Sequence, residues 1–193
     1  MRNCSPSVTV PMPASSCSLS QMSAASRLAS SRAVPSSFHF GQSFSVSASQ
    51  PGFGRLPAIV VGLFLAGVFC LGGLVVRDLP WLGDQVRNVL ELGAHGGGPA
   101  VLAVTLLTGI AEEIFFRGAV YAAVPRRPLL VTTIAYVLAT LATGNPMLGF
   151  AAVLLGLVTG LQRRASGGVL APILTHVVWS GILFFALPRI FGI

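Results

Sequence analysis

The sequence predicts an all-α membrane protein, a polytopic bundle of about five transmembrane helices behind a disordered N-terminal tail. Three observations carry this prediction. Of the 193 residues, 53% are hydrophobic and only 9% are charged, whereas soluble proteins contain about 25% charged residues. Several uncharged runs approach the roughly 20 residues that a helix needs to cross a bilayer. The composition also changes abruptly near residue 55.

Residues 1–54 form the tail. Serine dominates this segment, proline recurs, and the first acidic residue of the chain is Asp78. Such a segment cannot bury enough apolar surface to fold, so we expect disorder. The same composition also describes an organellar transit peptide, and a start codon assigned too early would explain it as well. The remainder, 55–193, is the predicted membrane domain.

Five apolar segments of this domain are predicted to cross the membrane: 57–76, 99–124, 129–143, 147–161 and 169–191. The third and fourth are shorter than a full crossing, which tilt or local thinning of the bilayer can accommodate. Between the first two lies a helix of mixed polarity at 79–98. Its Trp81 suits a membrane–water interface, where tryptophan is enriched.

The arginines between the spans predict an orientation. Five of them fall on one side of the alternation: Arg55, Arg126, Arg127, Arg163 and Arg164. On the other side, acidic residues dilute three arginines: Arg77, Arg87 and Arg189, with Asp78, Asp84 and Glu91. The positive-inside rule makes the five-arginine side cytoplasmic. We therefore expect a cytoplasmic N-terminus, an external C-terminus and a location in a bacterial plasma membrane.

Charge and cysteine content exclude two classes of function. The net charge is +7, but the 12 basic residues are scattered along the chain, whereas nucleic-acid binding needs a clustered basic face. The three cysteines, Cys4, Cys17 and Cys70, have no metal-binding spacing and imply no disulfide framework. The lipid bilayer and a peptide or membrane-protein substrate are the expected partners, and the oligomeric state is open.

Three formal charges stand in the middle of the second span, in the stretch TGIAEEIFFRGAVYAA. They belong to Glu112, Glu113 and Arg117, and a charge at the bilayer centre costs about 2.5–3.5 kcal/mol on translocon scales. Glu113 and Arg117 are four residues apart, so they share one helix face and are predicted to pair. Glu112 points about 100° away from that face. It is left to interact with another element, and a desolvated carboxylate is suited to act as a general base.

His176, in the fifth span, is the second candidate, with Ser180 four residues later on the same helix face. Such a pair can bind a metal or hold a water molecule. It can equally be a core histidine whose ring nitrogens are satisfied by Ser180 or by a backbone carbonyl. The glutamates in the same small bundle favour a shared polar cavity.

These residues resemble a known family. The stretch EEIFFR fits the Glu-Glu-x-x-x-Arg motif of the CAAX-protease and bacteriocin-processing (Abi) family of intramembrane proteases, and APILTHVVWS resembles its later histidine motif. The resemblance covers 99–191 and implies a helical bundle with its polar residues clustered inside. It implies that Glu112 activates water, with support from Glu113 and Arg117. His176 would bind a metal together with Glu112, or polarise water and stabilise the oxyanion.

The sequence departs from the family pattern at its middle motif, Phe-x-x-x-His. Tyr136 stands where the phenylalanine is expected, Thr140 where the histidine is expected, and Ser180 replaces the usual Asn or Asp of the later motif. Thr140 and Ser180 are therefore supporting candidates, and a divalent metal such as zinc lacks one expected ligand. No other cofactor site is predicted.

Three functions compete. The chain is predicted to be an intramembrane endopeptidase that uses a glutamate-activated water, with or without a metal. The loss of the middle histidine favours a non-catalytic relative that acts as a bacteriocin-immunity or membrane scaffold protein. Buried carboxylates also mark ion-coupled transporters, although the small number of spans and the lack of a repeat speak against that class.

Overall fold

A computed structural model of the chain describes residues 54–94 and 98–193, and within these ranges it contains helices and no strand. The predicted tail, except for its last residue, and His95 lie outside the described residues. The predicted all-helical membrane bundle is confirmed. Four helices are long and apolar enough to span a membrane, and a fifth apolar helix is shorter.

Six helices follow one another: α1 Arg55–Val76, α2 Pro80–Ala94, α3 Gly98–Ala123, α4 Pro128–Leu141, α5 Pro146–Ser166 and α6 Leu170–Phe191. All except α2 and the short α4 meet the criteria for a membrane span. α3 is α-helical up to Glu113, and then becomes a π-helix over Ile114–Val120. The predicted charged turn thus lies where the helix changes type.

Local signals explain where α5 begins and ends. Pro146 occupies the first turn, and the side chain of Asn145 accepts hydrogen bonds from the backbone N–H groups of Met147 and Leu148. Such an N-cap satisfies donors that have no partner inside the helix. The helix ends at Gly167, whose φ of 70° is a left-handed conformation that glycine adopts without steric cost.

The predicted end of the fourth span at Leu161 is wrong, because α5 continues to Ser166. Gln162, Arg163 and Ser166, which follow Leu161, are buried, whereas Arg164 is exposed. Gln162 donates to the hydroxyl of Thr175 at 2.7 Å, and Arg163 Nε donates to the backbone oxygen of Arg117 at 2.7 Å. Tertiary partners therefore extend the helix beyond the apolar run.

The helix α6 packs against α1, α3 and α5. Gly62 allows α1 to approach α6 closely, since a methyl group there would lie 2.9 Å from the backbone oxygen of Thr175. The hydroxyl of Thr175 donates to the backbone oxygen of Ala58 at 2.8 Å. With α6 anchored in this way, its histidine faces the charged turn of α3.

Candidate active site

The π-helical turn of α3 places Arg117 inside the bundle. A π-helix uses i→i+5 hydrogen bonds and is frequent at functional sites. Here the backbone oxygen of Arg117 accepts a hydrogen bond from Arg163 Nε of α5. The guanidinium of Arg163 also lies over the ring of Tyr121, 5.1 Å from its centroid. Contacts from α5 thus support the irregular turn that carries the arginine.

Glu113 and Arg117 form the predicted ion pair, at 3.0 Å between Glu113 Oε1 and Arg117 Nη1. Both side chains are fully buried. Arg117 Nη2 donates to the backbone oxygen of Gly156, and the guanidinium lies 4.7 Å from the ring centroid of Tyr136. A buried charge is tolerated when it is paired and hydrogen-bonded. The two charges of this ion pair offset each other inside the bundle.

His176 bonds to Glu113 rather than to Ser180. Its Nδ1 lies 2.9 Å from Glu113 Oε1, a contact between residues 63 positions apart. A carboxylate only accepts hydrogen bonds, so this contact assigns the proton of the neutral ring to Nδ1. The other ring nitrogen, Nε2, is then an acceptor. Glu113 therefore orients the histidine.

Glu112 is the glutamate that faces the cavity. Its Oε2 accepts a hydrogen bond from the hydroxyl of Tyr136 at 2.9 Å, and it lies 4.0 Å from His176 Nε2. The side chain of Glu112 is 32% exposed, whereas that of Glu113 is inaccessible. The neighbours of Glu112 in the structure are therefore Tyr136 on α4 and His176 on α6.

These groups line a cavity of about 460 Å³, called the site cavity below, whose surface is mostly apolar apart from them. Its walls include residues of α3, α4, α5 and α6, among them Glu112, Tyr136, Thr140, His176, Trp179 and Ser180. A second cavity of about 690 Å³ is lined mostly by apolar residues and shares the wall formed by Trp179 and Ser180. The site cavity, which holds Glu112 and His176, thus adjoins an apolar cavity.

The two supporting candidates lie at the wall of the site cavity. Thr140 donates its hydroxyl to the backbone oxygen of Tyr136 at 2.9 Å, one turn earlier in α4. Ser180 is buried and borders both cavities. Neither bonds to the carboxylates through a direct contact in the described structure, so both lie around the charged cluster rather than in it.

The described residues do not match a catalytic zinc centre. Such a centre usually has three protein ligands and a water molecule. Glu112 and His176 Nε2 offer two ligands at the cavity. Glu113 Oε1 is engaged by Arg117 and by His176 Nδ1, and Glu113 Oε2, which has no hydrogen-bond partner, belongs to a side chain that is fully buried. Within 54–94 and 98–193, no group of three or more His, Cys, Asp or Glu side chains is placed to hold a metal ion.

Residues 96–182 match the family described as type II CAAX prenyl endopeptidase Rce1-like. The match covers somewhat less than half of the chain. The predicted family is thereby confirmed, and the matched segment contains the two glutamates, the arginine and the histidine described above. Neither a curated protein nor a solved structure matched the chain in the same comparisons.

Three residues that shape the candidate site were not predicted from the sequence. Tyr136 was recognised as a departure from the motif, but its bond to Glu112 was not predicted. Arg163 was assigned to a loop, although its position two turns from Gly156 on one helix is compatible with an inward face. Gly109 has no side chain to indicate a role, yet a methyl group there would lie 3.1 Å from His176 Cδ2. It leaves space for the ring.

Proposed function

We propose that the chain is an intramembrane endopeptidase in which Glu112 activates a water molecule for attack on a peptide bond. One observation carries the proposal. Glu112 Oε2 and His176 Nε2 are 4.0 Å apart at the wall of the site cavity inside a membrane bundle. The Rce1-like match supports a CAAX-type protease.

The spacing suits a water molecule held between these two atoms. A water oxygen about 2.8 Å from each acceptor can donate one hydrogen to the carboxylate and the other to the imidazole. Its lone pairs then point away from both acceptors. The geometry therefore favours a polarised water whose oxygen is available as a nucleophile.

The reaction proceeds by general acid–base catalysis. Glu112 accepts a proton as the water oxygen forms a bond to the carbonyl carbon of the scissile peptide. The tetrahedral intermediate then collapses, the C–N bond breaks, and the proton passes from Glu112 to the departing nitrogen. The products are a carboxylic acid and an amine, and Glu112 returns to its carboxylate form.

Glu113 and Arg117 support this reaction without contacting the substrate. Glu113 fixes the ring of His176 through Nδ1, and Arg117 neutralises Glu113. The negative charge of Glu112 is then the uncompensated carboxylate charge at the cavity. A base in surroundings of low dielectric interacts more strongly with the developing charges than it would in water.

The substrate is proposed to be a membrane-associated peptide or protein that enters from the bilayer. The helices around the site carry exposed apolar side chains, which suit contact with lipid. We further propose a bacterial plasma-membrane location with a cytoplasmic N-terminus. A reporter fused after Ile193 tests this orientation, since activity of a reporter that works only in the cytoplasm would contradict it.

Cleavage by purified protein in lipid nanodiscs tests the proposed function. The probe is a fluorogenic peptide that ends in a prenylated CAAX sequence, and a membrane-anchored peptide without the prenyl group provides a second probe. Glu112→Gln should lower kcat by about 10²–10⁴-fold, the usual contribution of a general base. Glu91→Gln, on α2 away from the cavity, is the matched control and should leave kcat unchanged. Equal cleavage by the Glu112→Gln variant and the unaltered protein would contradict the mechanism.

The second candidate function is that of a non-catalytic relative, a bacteriocin-immunity or membrane scaffold protein. Thr140 in place of the expected histidine favours it, because the ligand set of a metalloprotease is incomplete. This function predicts that Glu112→Gln retains immunity in cells that produce a bacteriocin. Loss of immunity together with loss of cleavage would instead support the peptidase.

A further inference from the structure

Tyr136 connects α4 to the proposed general base. Its hydroxyl donates to Glu112 Oε2 at 2.9 Å, across a separation of 24 residues. The residue stands where the family motif has phenylalanine, which has no hydroxyl group. The contact is therefore a feature of this chain that the motif does not supply.

The tyrosine ring is held firmly in place. It is 6% exposed, packs edge-on against Phe116 with 5.1 Å between the ring centroids, and lies beneath the guanidinium of Arg117. The ring also packs against Gly156 of α5, where a methyl group would lie 3.4 Å from Tyr136 Cδ1, at ordinary contact distance. A donor on a fixed ring imposes a defined direction on the carboxylate that accepts from it.

Glu112 needs such a constraint. Its side chain is partly exposed to the cavity, and a glutamate has several rotatable bonds whose ordering costs free energy. Thr140 does not provide the constraint, because its hydroxyl donates to the backbone oxygen of Tyr136. Arg117 does not provide it either, because its side chain is bonded to Glu113 and Gly156.

We propose that Tyr136 is the positioning residue of Glu112, and that its hydroxyl holds the carboxylate opposite His176 Nε2. This inference rests on the proposed peptidase function. The hydroxyl occupies one lone pair of Oε2 and leaves the other lone pairs of the carboxylate to the attacking water. Tyr136 thus acts on the reaction through Glu112.

Tyr136→Phe removes the hydroxyl and retains the ring. Loss of a hydrogen bond to a charged group should lower kcat by about ten- to a hundredfold. KM should be unchanged, because the hydroxyl contacts the base rather than the substrate. The chain has two tyrosines, so Tyr121→Phe is the matched control. It keeps the ring beside Arg163 and should leave kcat, KM and the unfolding midpoint unchanged. Full kcat in Tyr136→Phe would overturn the inference.

Ultraviolet resonance Raman spectroscopy tests the contact without relying on activity. In the Tyr121→Phe protein, Tyr136 is the remaining tyrosine, and the intensity ratio of its ring doublet reports whether the phenol donates a hydrogen bond. Adding Glu112→Ala should change that ratio, whereas adding Glu91→Ala should not.

The two measurements separate the failure of this inference from the failure of the proposed function. An unchanged ratio after Glu112→Ala would overturn the positioning role, whatever the cleavage assay shows. A changed ratio in a protein that cleaves neither probe would support the positioning of the carboxylate and overturn the peptidase function alone.

Discussion

Glu112 and Glu113 are adjacent in the chain, yet they belong to two different regions of the site. Glu113 forms a buried ion pair with Arg117, and neither side chain is accessible to solvent. Glu112 lies at the cavity wall with Tyr136, and about a third of its side chain is exposed. The comparison shows that the motif combines a carboxylate enclosed in a buried ion pair with one that faces the site cavity. The helix separates their roles by rotating the second about 100° from the first.

Single substitutions of the two glutamates should test this difference between them most clearly. Glu113→Gln leaves the buried guanidinium of Arg117 without its counter-charge, which should cost about 3–5 kcal/mol of stability. Glu112→Gln keeps an acceptor for the hydroxyl of Tyr136 and should cost less than about 1 kcal/mol. Denaturant unfolding in one detergent, followed by circular dichroism, measures both. Equal losses would show that the two carboxylates have the same structural role.

The arginine pair that follows Leu161 offers a second contrast. Arg163 is buried and bonded to the backbone of α3, whereas Arg164 is exposed. Arg163→Met should cost about 1.5–3 kcal/mol, because it removes a charged donor from a buried carbonyl group. Arg164→Met should remain within about 0.5 kcal/mol. The same unfolding assay measures both variants, and a larger effect of Arg164 would contradict the proposed support of the π-helical turn.

Substitutions of two glycines test the difference between the site and the lipid-facing surface. A methyl group on Gly109 would press on the ring of His176, whereas one on Gly67 would have no neighbour within 4 Å. Gly109→Ala should therefore displace the ring and lower kcat by about tenfold or more, since small misplacements of catalytic groups are costly. Gly67→Ala should leave kcat unchanged. The kcat for cleavage of the fluorogenic probe is measured for both variants. An unchanged kcat in Gly109→Ala would show that the histidine takes no part in the reaction.

Removal of metal should have the smallest effect. The cavity presents two ligands rather than the three of a usual zinc site, so treatment with a chelator should leave the ratio of treated to untreated kcat at about one. Metal analysis of the purified protein by mass spectrometry accompanies the assay. If chelation abolished cleavage and added zinc restored it, the cavity would have to contain a third ligand contributed by substrate, lipid or another subunit.

Much of the fold followed from local pattern. The long apolar runs predicted the membrane helices, and the four-residue spacing predicted the pair formed by Glu113 and Arg117. The end of α5 was not predictable from hydropathy. It extends through Gln162 and Arg163 because those side chains find partners on α6 and α3. Polar residues end the apolar run in the sequence. The helix continues through them because their side chains form buried hydrogen bonds.

The sequence by itself determined that this is a membrane helix bundle with a family motif in its second span, because helix period and hydropathy act over a few residues. The tertiary structure decided which carboxylate is enclosed in an ion pair and which one faces the cavity. His176 lies 63 residues from Glu113, and Tyr136 lies 24 residues from Glu112, so no local spacing could pair them. Helix packing brings them together, seals one glutamate behind an arginine, and leaves its neighbour facing the cavity.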